Sequence, residues 1–529
     1  MGGTTSSLAT DAPDELTILF SPSELQALKQ AYAKLCDPKT QALTGLDSLQ
    51  RMAERFPWSA LYRNMKQRAA PDAPVGFRDF LATVAAICKG RRSERIATVA
   101  SLYAVGPQQL LSASSLRNLM SDAAVAARAG DASAPPSDAV LCAVAADVLL
   151  GGGGVVTPQQ WASWVGSHLP ALPQAHELWL LEFLCAFGRG ARGAGGAGGA
   201  GSASSASSAS SAALGGSSGG APTVPAGLLA PVQEPLLIPA EGQQEGHELL
   251  EPTSAWLLSL AIGGAAGGGG GGGAGGGAGG GAGGGGGVGA AASWRCLYAS
   301  RAHGLSMNRF THHAGGYVGP TVLVALTESN EVFGAFVDTP FKPSDKYFGG
   351  SGCFLFTGAP HFHVYRPTNL SKNYALYNPP QTGALASVSY LQKSSFDAVP
   401  EVVGFGGQTM RMRLSLEDDL NVLRWHHSCT TYARHDSAEQ SVGEGSRKVR
   451  ALELWGCGGA DADAVMRALQ ERRTRDAQRA GKVDRMAMFG GGGGDWRDGE
   501  NTDAKILELG GAHTFYSHQL EKLPDGERG

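Results

Sequence analysis

The strongest enzymatic case in the sequence is His426-His427-Ser428-Cys429, which lies a short way downstream of Glu417, Asp418 and Asp419. A cysteine becomes a nucleophile when an imidazole hydrogen-bonds the thiol and a third group orients that imidazole. Closeness in sequence supplies neither contact, so the expectation here is a loop cysteine beside exposed histidines and no catalytic residue. His361 and His363 stand two apart, the spacing that puts both imidazoles on one face of a strand. Two nitrogens are too few to make a metal site, and the expectation is ordinary strand positions beside Pro360, with no metal and no cofactor. Redox sensing by an exposed thiol would require a depressed pKa, which no sequence displays.

Calcium chemistry is the next candidate. From Ser21-Pro22 onward the chain reads as helical, with Leu25, Leu28, Tyr32 and Leu35 at helical spacing and a capped start that includes Glu24. Comparable apolar faces recur around 77–87, 96–102, 139–150 and 178–187. They are separated by short steps such as Leu43-Thr44-Gly45-Leu46, Pro74-Val75-Gly76-Phe77 and Gly154-Val155-Val156-Thr157. That rhythm is EF-hand-like. A calcium loop, however, needs oxygen ligands at its first, third, fifth and ninth positions and a bidentate Glu at the twelfth. Placing Leu111 at the apolar position puts Ala104, Gly106, Gln108, Ser112 and Ser115 there, and placing Val156 there gives Leu149, Gly151, Gly153, Thr157 and Gln160. Neither set holds a carboxylate, and the loop ending near Asp79 offers only Asp72 and Asp79. The expectation is a helical scaffold without calcium ligands.

These elements sit in a chain of 529 residues, of which 77 are glycine. Two tracts, 188–221 and 263–293, are almost wholly Gly, Ala and Ser, and they add length without core. Neither is a phosphate loop, because no Gly-Lys-Ser/Thr follows. The remainder suffices for two packed domains. A net charge of −4 with interrupted basic clusters (Lys89, Arg91 and Arg92 beside Glu94; Arg472, Arg473 and Arg475 beside Glu471 and Asp476) excludes a nucleic-acid face. Eight scattered cysteines with no C-x-x-C pair indicate reduced thiols, and no stretch is long enough to be a transmembrane helix. The first fifteen residues lack the basic and apolar regions of a signal peptide. They do match M-G-x-x-x-[ST], the N-myristoylation pattern with Gly2 as acceptor. With no basic residue before Lys29, a single acyl chain of about 10⁴ M⁻¹ affinity would give only weak, reversible membrane contact.

From Trp294 the texture changes to short strands. The runs 321–327 and 332–337 flank Glu328-Ser329-Asn330 as a hairpin, and 353–357, 362–365, 410–416 and 451–456 read as further strands. The fold class expected is therefore α+β multidomain: an all-α EF-hand-like domain, then an antiparallel β-sandwich flanked by helices. Between the tracts, His247–Ile262 reads as an amphipathic helix that needs a partner surface. The expected organisation is a flexible terminus (1–20), a helical domain (21–187), a linker (188–246), a domain at 247–457 interrupted at 263–293, and a helix and tail (458–529).

Ordered blocks in the second half resemble the TLDc family. Trp294-Arg295-Cys296-Leu297-Tyr298-Ala299-Ser300 leads to His303-Gly304-Leu305-Ser306 and Arg309-Phe310. Gly319-Pro320-Thr321, Val332-Phe333-Gly334-Ala335-Phe336, Tyr347-Phe348-Gly349, Cys353-Phe354-Leu355-Phe356, Leu416–Leu420 and Leu452-Glu453-Leu454-Trp455-Gly456 follow in the family's order. The motif positions are Trp294, His303, Gly304, Ser306, Phe310, Gly334, Phe336, Gly349, Cys353, Phe354, Glu453 and Trp455, and most are expected to serve packing. The sequence departs from the family pattern at 421–432, where Cys429 and Thr431 remain but the small residues before them are lost, and across 374–400. With the Gly2 motif, the degenerate helical half and a similar tail at 501–520, the resemblance extends to lysosomal, mTOR-associated members of the family. It implies a non-enzymatic regulator in the cytoplasm or peripherally on endomembranes, with V-ATPase subunits or mTOR components as partners. Oxidative-stress resistance through a redox-active cysteine is the alternative the family offers.

Overall fold

Two capping boxes show how the sequence sets its helix starts. Ser21 and Glu24 exchange bonds at the start of the helix Pro22–Leu35: the Ser21 N–H donates to Glu24 Oε2 at 2.7 Å, and the Glu24 N–H donates to Ser21 Oγ at 3.3 Å. Thr157 and Gln160 repeat the arrangement further on, at 2.8 and 3.2 Å, with Pro158 at the first helical position.

The computed structural model describes residues 15–36, 43, 58–68, 74–106, 108–127, 135–150, 153–189, 234–240, 243, 249–263, 293–380, 400–435 and 442–489. The chain divides into two compact units, Met1–Val465 and Met466–Gly529; the second is described only to Phe489 and is helical there.

The helical half runs α1 (Glu15–Ile18), α2 (Pro22–Leu35), α3 (Trp58–Arg68), α4 (Phe77–Cys88) and α5 (Arg92–Tyr103). It continues with α6 (Ala113–Ala127), α7 (Asp138–Leu149), α8 (Pro158–His168) and α9 (Leu172–Arg189). Its loops pair two by two. Leu43 bridges Val75, while β1 (Leu111–Ser112) lies antiparallel to β2 (Val155–Val156), each pairing joining two helix–loop–helix steps. The first helices close over Leu28, Leu35, Met65, Phe80 and Leu184.

Next come β3 (Leu236–Ile238), α10 (Pro252–Ile262), β4 (Ser293–Ala299), α11 (Ser300–His303) and α12 (Met307–Ala314). The strands β5 (Thr321–Thr327), β6 (Val332–Val337), β7 (Phe354–Ala359), β8 (His363–Tyr365) and β9 (Ala375–Asn378) follow. The series ends with β10 (Val402–Gln408), β11 (Arg411–Glu417), β12 (Val422–Trp425), β13 (Gly445–Gly456) and α13 (Gly459–Phe489). The architecture is α+β, as expected. The 12-residue β13 belongs to two sheets. Its first residues pair with β12, which leads to β11, β10 and β9, and its last pair with β5 and β4. The sheets face each other: Trp425 on β12 meets Phe333 on β6 at 5.3 Å and Tyr365 on β8 at 5.3 Å between ring centroids. The 321–337 hairpin forms as β5 and β6, pairing Thr321 with Val337 through Leu326 with Val332, with Asn330 at φ 60° in its turn.

Three features differ from expectation. The 252–262 helix has no polar face: Thr253 and every residue from Ala255 to Ile262 are buried. It is enclosed on all sides, the state of a helix apolar all round. Within the expected 188–246 linker, Leu236–Ile238 forms a strand parallel to β4, occupying backbone positions that would otherwise be an open edge. Most consequential, the two halves share one core. Leu119, Val144 and Trp161 from the helices join Trp256, Trp294, Phe354, Phe356 and Trp455 in a single apolar cluster.

Candidate functional site

Polar chemistry concentrates where α7, α8 and β8 meet inside that shared interface. In α7, Leu141, Val144 and Val148 mark the buried face, and Asp147 lies on it too, only 4% exposed. A carboxylate in such a helix requires partners. In α8, Trp161, Trp164 and His168 stack successively, at 5.4 and 4.5 Å between rings, so an aromatic column ends in an imidazole. His363 opens β8. Tertiary structure brings the three together: Asp147, His168 and His363 are all buried, and one ligand-type atom from each lies within 4.8 Å of the others.

His363 Nδ1 stands 3.1 and 3.0 Å from the two carboxylate oxygens of Asp147. Trp164 Nε1–H donates to Asp147 Oδ2 at 2.7 Å. His168 Nδ1 is 2.8 Å from the Trp164 carbonyl, an acceptor only, so this nitrogen carries the proton and Nε2 points its lone pair inward. His168 Nε2 then sits 3.2 and 3.3 Å from the two ring nitrogens of His363. Burial, followed by the neighbouring His363, pushes the His168 pKa down to about 3, so its imidazole is neutral. Burial would raise Asp147, but the hydrogen bond and charge of His363 outweigh it and hold the carboxyl below its ordinary value. Arg366 closes the lower side, donating to the carbonyls of Ser167, His168 and Ala261. The group opens on a cleft lined by Arg92, Ser163, Arg366 and His435.

His363 was singled out from sequence, but with His361 as its companion. The structure gives it Asp147 and His168 instead, more than 190 residues away in sequence. A lone Asp in an otherwise apolar helix and a histidine ending a tryptophan column were the available signals for these two. The 426–429 constellation does not assemble as a nucleophile. His426 Nδ1 pairs with Glu444 at 2.5 Å, while the Cys429 sulfur accepts the Tyr432 backbone N–H at 3.2 Å.

The motif residues mostly build the interior. Trp294, Phe354 and Trp455 are fully buried in the shared core; Phe336 stacks on Phe354 at 5.1 Å, and Phe310 packs edge-on against Tyr298, Phe341 and Tyr377. Glu453 is 1% exposed and its carboxylate is saturated. It accepts from Gln243, the Leu249 and Leu250 backbone N–H groups, and Trp455 Nε1. Burial nevertheless raises its pKa above the ordinary carboxylate value. His303 Nδ1 accepts from the Ala299 N–H at 3.2 Å and its ring lies on His313, while Gly304 ends α11 and Ser306 precedes α12. At Gly334 a Cβ would stand 2.2 Å from the Phe356 ring, so only glycine lets β6 approach β7 this closely. Gly349, at φ +98°, turns the chain that brings Gly350, Gly352 and Cys353 onto the Asp338 carboxylate. Gly2 lies outside the described residues, as do most of the 374–400 departure and the tail at 501–520.

The family model for the TLDc domain matches residues 289–458, the stretch that carries these blocks and β4 to β13. Residues 289–458 form a TLDc domain. Among similar curated proteins, MTOR-associated protein MEAK7 of Danio rerio is 30% identical over 172 residues, covering 32% of this chain and 34% of that protein. Oxidation resistance protein 1 of Bos taurus is 27% identical over 162 residues, 31% of this chain and 16% of its own. Nuclear receptor coactivator 7 of Homo sapiens is 37% identical over 73 residues, 14% of this chain and 8% of its own. The chain thus spans about a third or less of the length of these relatives. The matched TLDc segment begins downstream of α10, yet α10 packs into the same core. Among the described residues, no helix is long and apolar enough to cross a membrane.

Proposed function

We propose that this chain is a non-enzymatic regulatory protein whose TLDc domain docks on a protein assembly, with V-ATPase subunits or components of mTOR signalling as the partner. The observation that carries the reading is what the TLDc motif residues do. Trp294, Phe310, Phe336, Phe354, Glu453 and Trp455 are committed to the interior, with the single carboxylate among them satisfied by four donors. Such a domain presents a rigid surface to a partner. The name of the Danio rerio relative, an mTOR-associated protein, supports the choice of partner. The helical half serves as an EF-hand-like scaffold, its loops paired but lacking carboxylates at the aligned positions. Gly2 acylation would add reversible contact with a lysosomal or other endomembrane surface.

The test is affinity purification of the full chain with purified V-ATPase subunits and, separately, with mTOR components. Stoichiometric capture by one of them is expected, and no enrichment with either set would overturn the proposal. Mass spectrometry of the native amino terminus decides the state of Gly2. Oxidation resistance is the second reading, favoured by the name of the Bos taurus relative. It requires peroxide consumption by the purified protein that disappears in Cys429→Ser.

A further inference from the structure

We propose that Asp147, His168 and His363 bind a divalent transition-metal ion of the zinc class, which ties α7 and α8 of the helical half to β8 of the TLDc domain. The donor set is the first ground. Two imidazole nitrogens and one carboxylate oxygen suit zinc and its first-row neighbours, whereas calcium and magnesium sites are built from oxygen.

Spacing is the second. Ligand atoms about 2.0–2.2 Å from a tetrahedral zinc stand roughly 3.3 Å from one another. His168 Nε2 lies 3.2 and 3.3 Å from the His363 ring nitrogens, and His363 Nδ1 lies 3.0 Å from an Asp147 oxygen. The His168–His363 contact is not that of one directed hydrogen bond, since Nε2 is almost equidistant from both nitrogens and the rings are inclined at 70°.

The surrounding shell is the third. Metal-binding histidines give their other N–H to a carbonyl or carboxylate, and ligating carboxylates are themselves hydrogen-bonded. Trp164 does both here. Its backbone carbonyl takes the His168 Nδ1 proton at 2.8 Å, and its indole N–H holds Asp147 at 2.7 Å. All three ligands are at least nine-tenths buried yet line the cleft, from which a water would supply the fourth ligand. The charge balance is sound: a dication against one carboxylate and two neutral imidazoles leaves +1 in a site bordered by solvent.

The experiment uses the purified full chain, stripped with a chelator and titrated with zinc chloride alone by calorimetry, then with cobalt(II) by absorption spectroscopy. Expected are one ion per chain, cobalt bands of a tetrahedral site, and no thiolate-to-cobalt charge-transfer band. His168→Ala and His363→Ala should each weaken binding by more than about 100-fold, and Trp164→Phe by about 10-fold. His361→Ala should bind as the parent does, and circular dichroism checks the fold of each variant. No zinc uptake at micromolar concentration, a thiolate band, or parent-like binding by folded His168→Ala and His363→Ala would each overturn the site. Should the ligand variants not fold, the parent cobalt spectrum and Trp164→Phe, which removes only an outer-shell N–H, decide the matter.

Discussion

Arg366 Nη2 donates to the carbonyl oxygen of Ala261 across 2.8 Å, linking the end of β8 to the last turn of the buried helix α10. The same guanidinium donates to the Ser167 and His168 carbonyls at the end of α8 and lies 5.0 Å over the Phe354 ring. It therefore complements the carbonyl ends of two helices at once. Burial, with Arg92 nearby, pushes its pKa down to about 10, so it remains charged at neutral pH. Arg366→Ala should cost about 2–3 kcal/mol in urea denaturation, because the part-buried His168 and Ala261 carbonyls lose their donor, while the exposed Ser167 carbonyl can turn to water. Arg366→Lys should recover less than half of that, since an ammonium cannot reproduce the planar fork. Full recovery by lysine would show that charge alone matters.

Glu453 joins the segment before α10 to β13 through the Leu249 and Leu250 backbone N–H groups. Glu453→Ala leaves those donors, the Gln243 amide and the Trp455 indole without their acceptor, an expected loss of about 3 kcal/mol. Hydrogen exchange of Leu249 and Leu250 should accelerate out of proportion to the rest of the core. Uniform acceleration would mean that Glu453 acts through global stability alone.

Gly334→Ala tests the close approach of β6 to its neighbours. The added methyl would meet the Phe356 ring at 2.2 Å and the Leu323 carbonyl at 2.5 Å. Backbone on one side and a packed ring on the other leave little room to yield, so a loss of about 2–3 kcal/mol is expected as a lower denaturation midpoint with an unchanged slope.

The sequence made local order legible and hid what depends on distant encounters. The 321–337 hairpin is readable because two apolar runs flank a short turn, and the Ser21 and Thr157 caps because their partners stand three residues away. The dual membership of β13 is not local, since its two ends answer to strands on different sheets. Nor is the Asp147–His168–His363 group, whose members lie on two helices and a strand, His363 being 195 and 216 residues from the other two. His361 drew attention because its spacing would put it on one strand face with His363, but β8 begins only at His363, and periodicity says nothing about which helix covers that strand. The 252–262 helix was legible as apolar; that it is enclosed on every side follows only from the shared core.

Acid should destabilise the helical half through His176. It is buried, its Nδ1 has no hydrogen-bond partner among the described residues, and burial followed by Arg95 pushes its pKa from 6.5 down to about 4. Between those values the unfolded chain binds a proton that the folded chain refuses. Stability therefore rises with pH across this window and is lost as pH falls through it, by on the order of 3 kcal/mol in full. His176→Leu should flatten the acid limb of a stability–pH curve between about pH 6.5 and 4. An unchanged limb would assign the acid sensitivity to other groups.

Thiol reactivity separates the docking reading from the antioxidant one. The thiolate is the reactive species, and burial pushes the Cys88, Cys353 and Cys457 thiols above their ordinary value, Cys353 with the Asp338 carboxylate adding to the effect. Cys36, Cys142 and Cys429 are only half-buried. Brief alkylation of the native chain, read by peptide mass spectrometry, should label from these three, while Cys88, Cys353 and Cys457 stay protected until the chain unfolds. Cys353→Ser should then leave any peroxide consumption unchanged. A native-state adduct at Cys353, or peroxide turnover that depends on it, would contradict its burial against Asp338 and shift the balance toward a redox role for the TLDc domain.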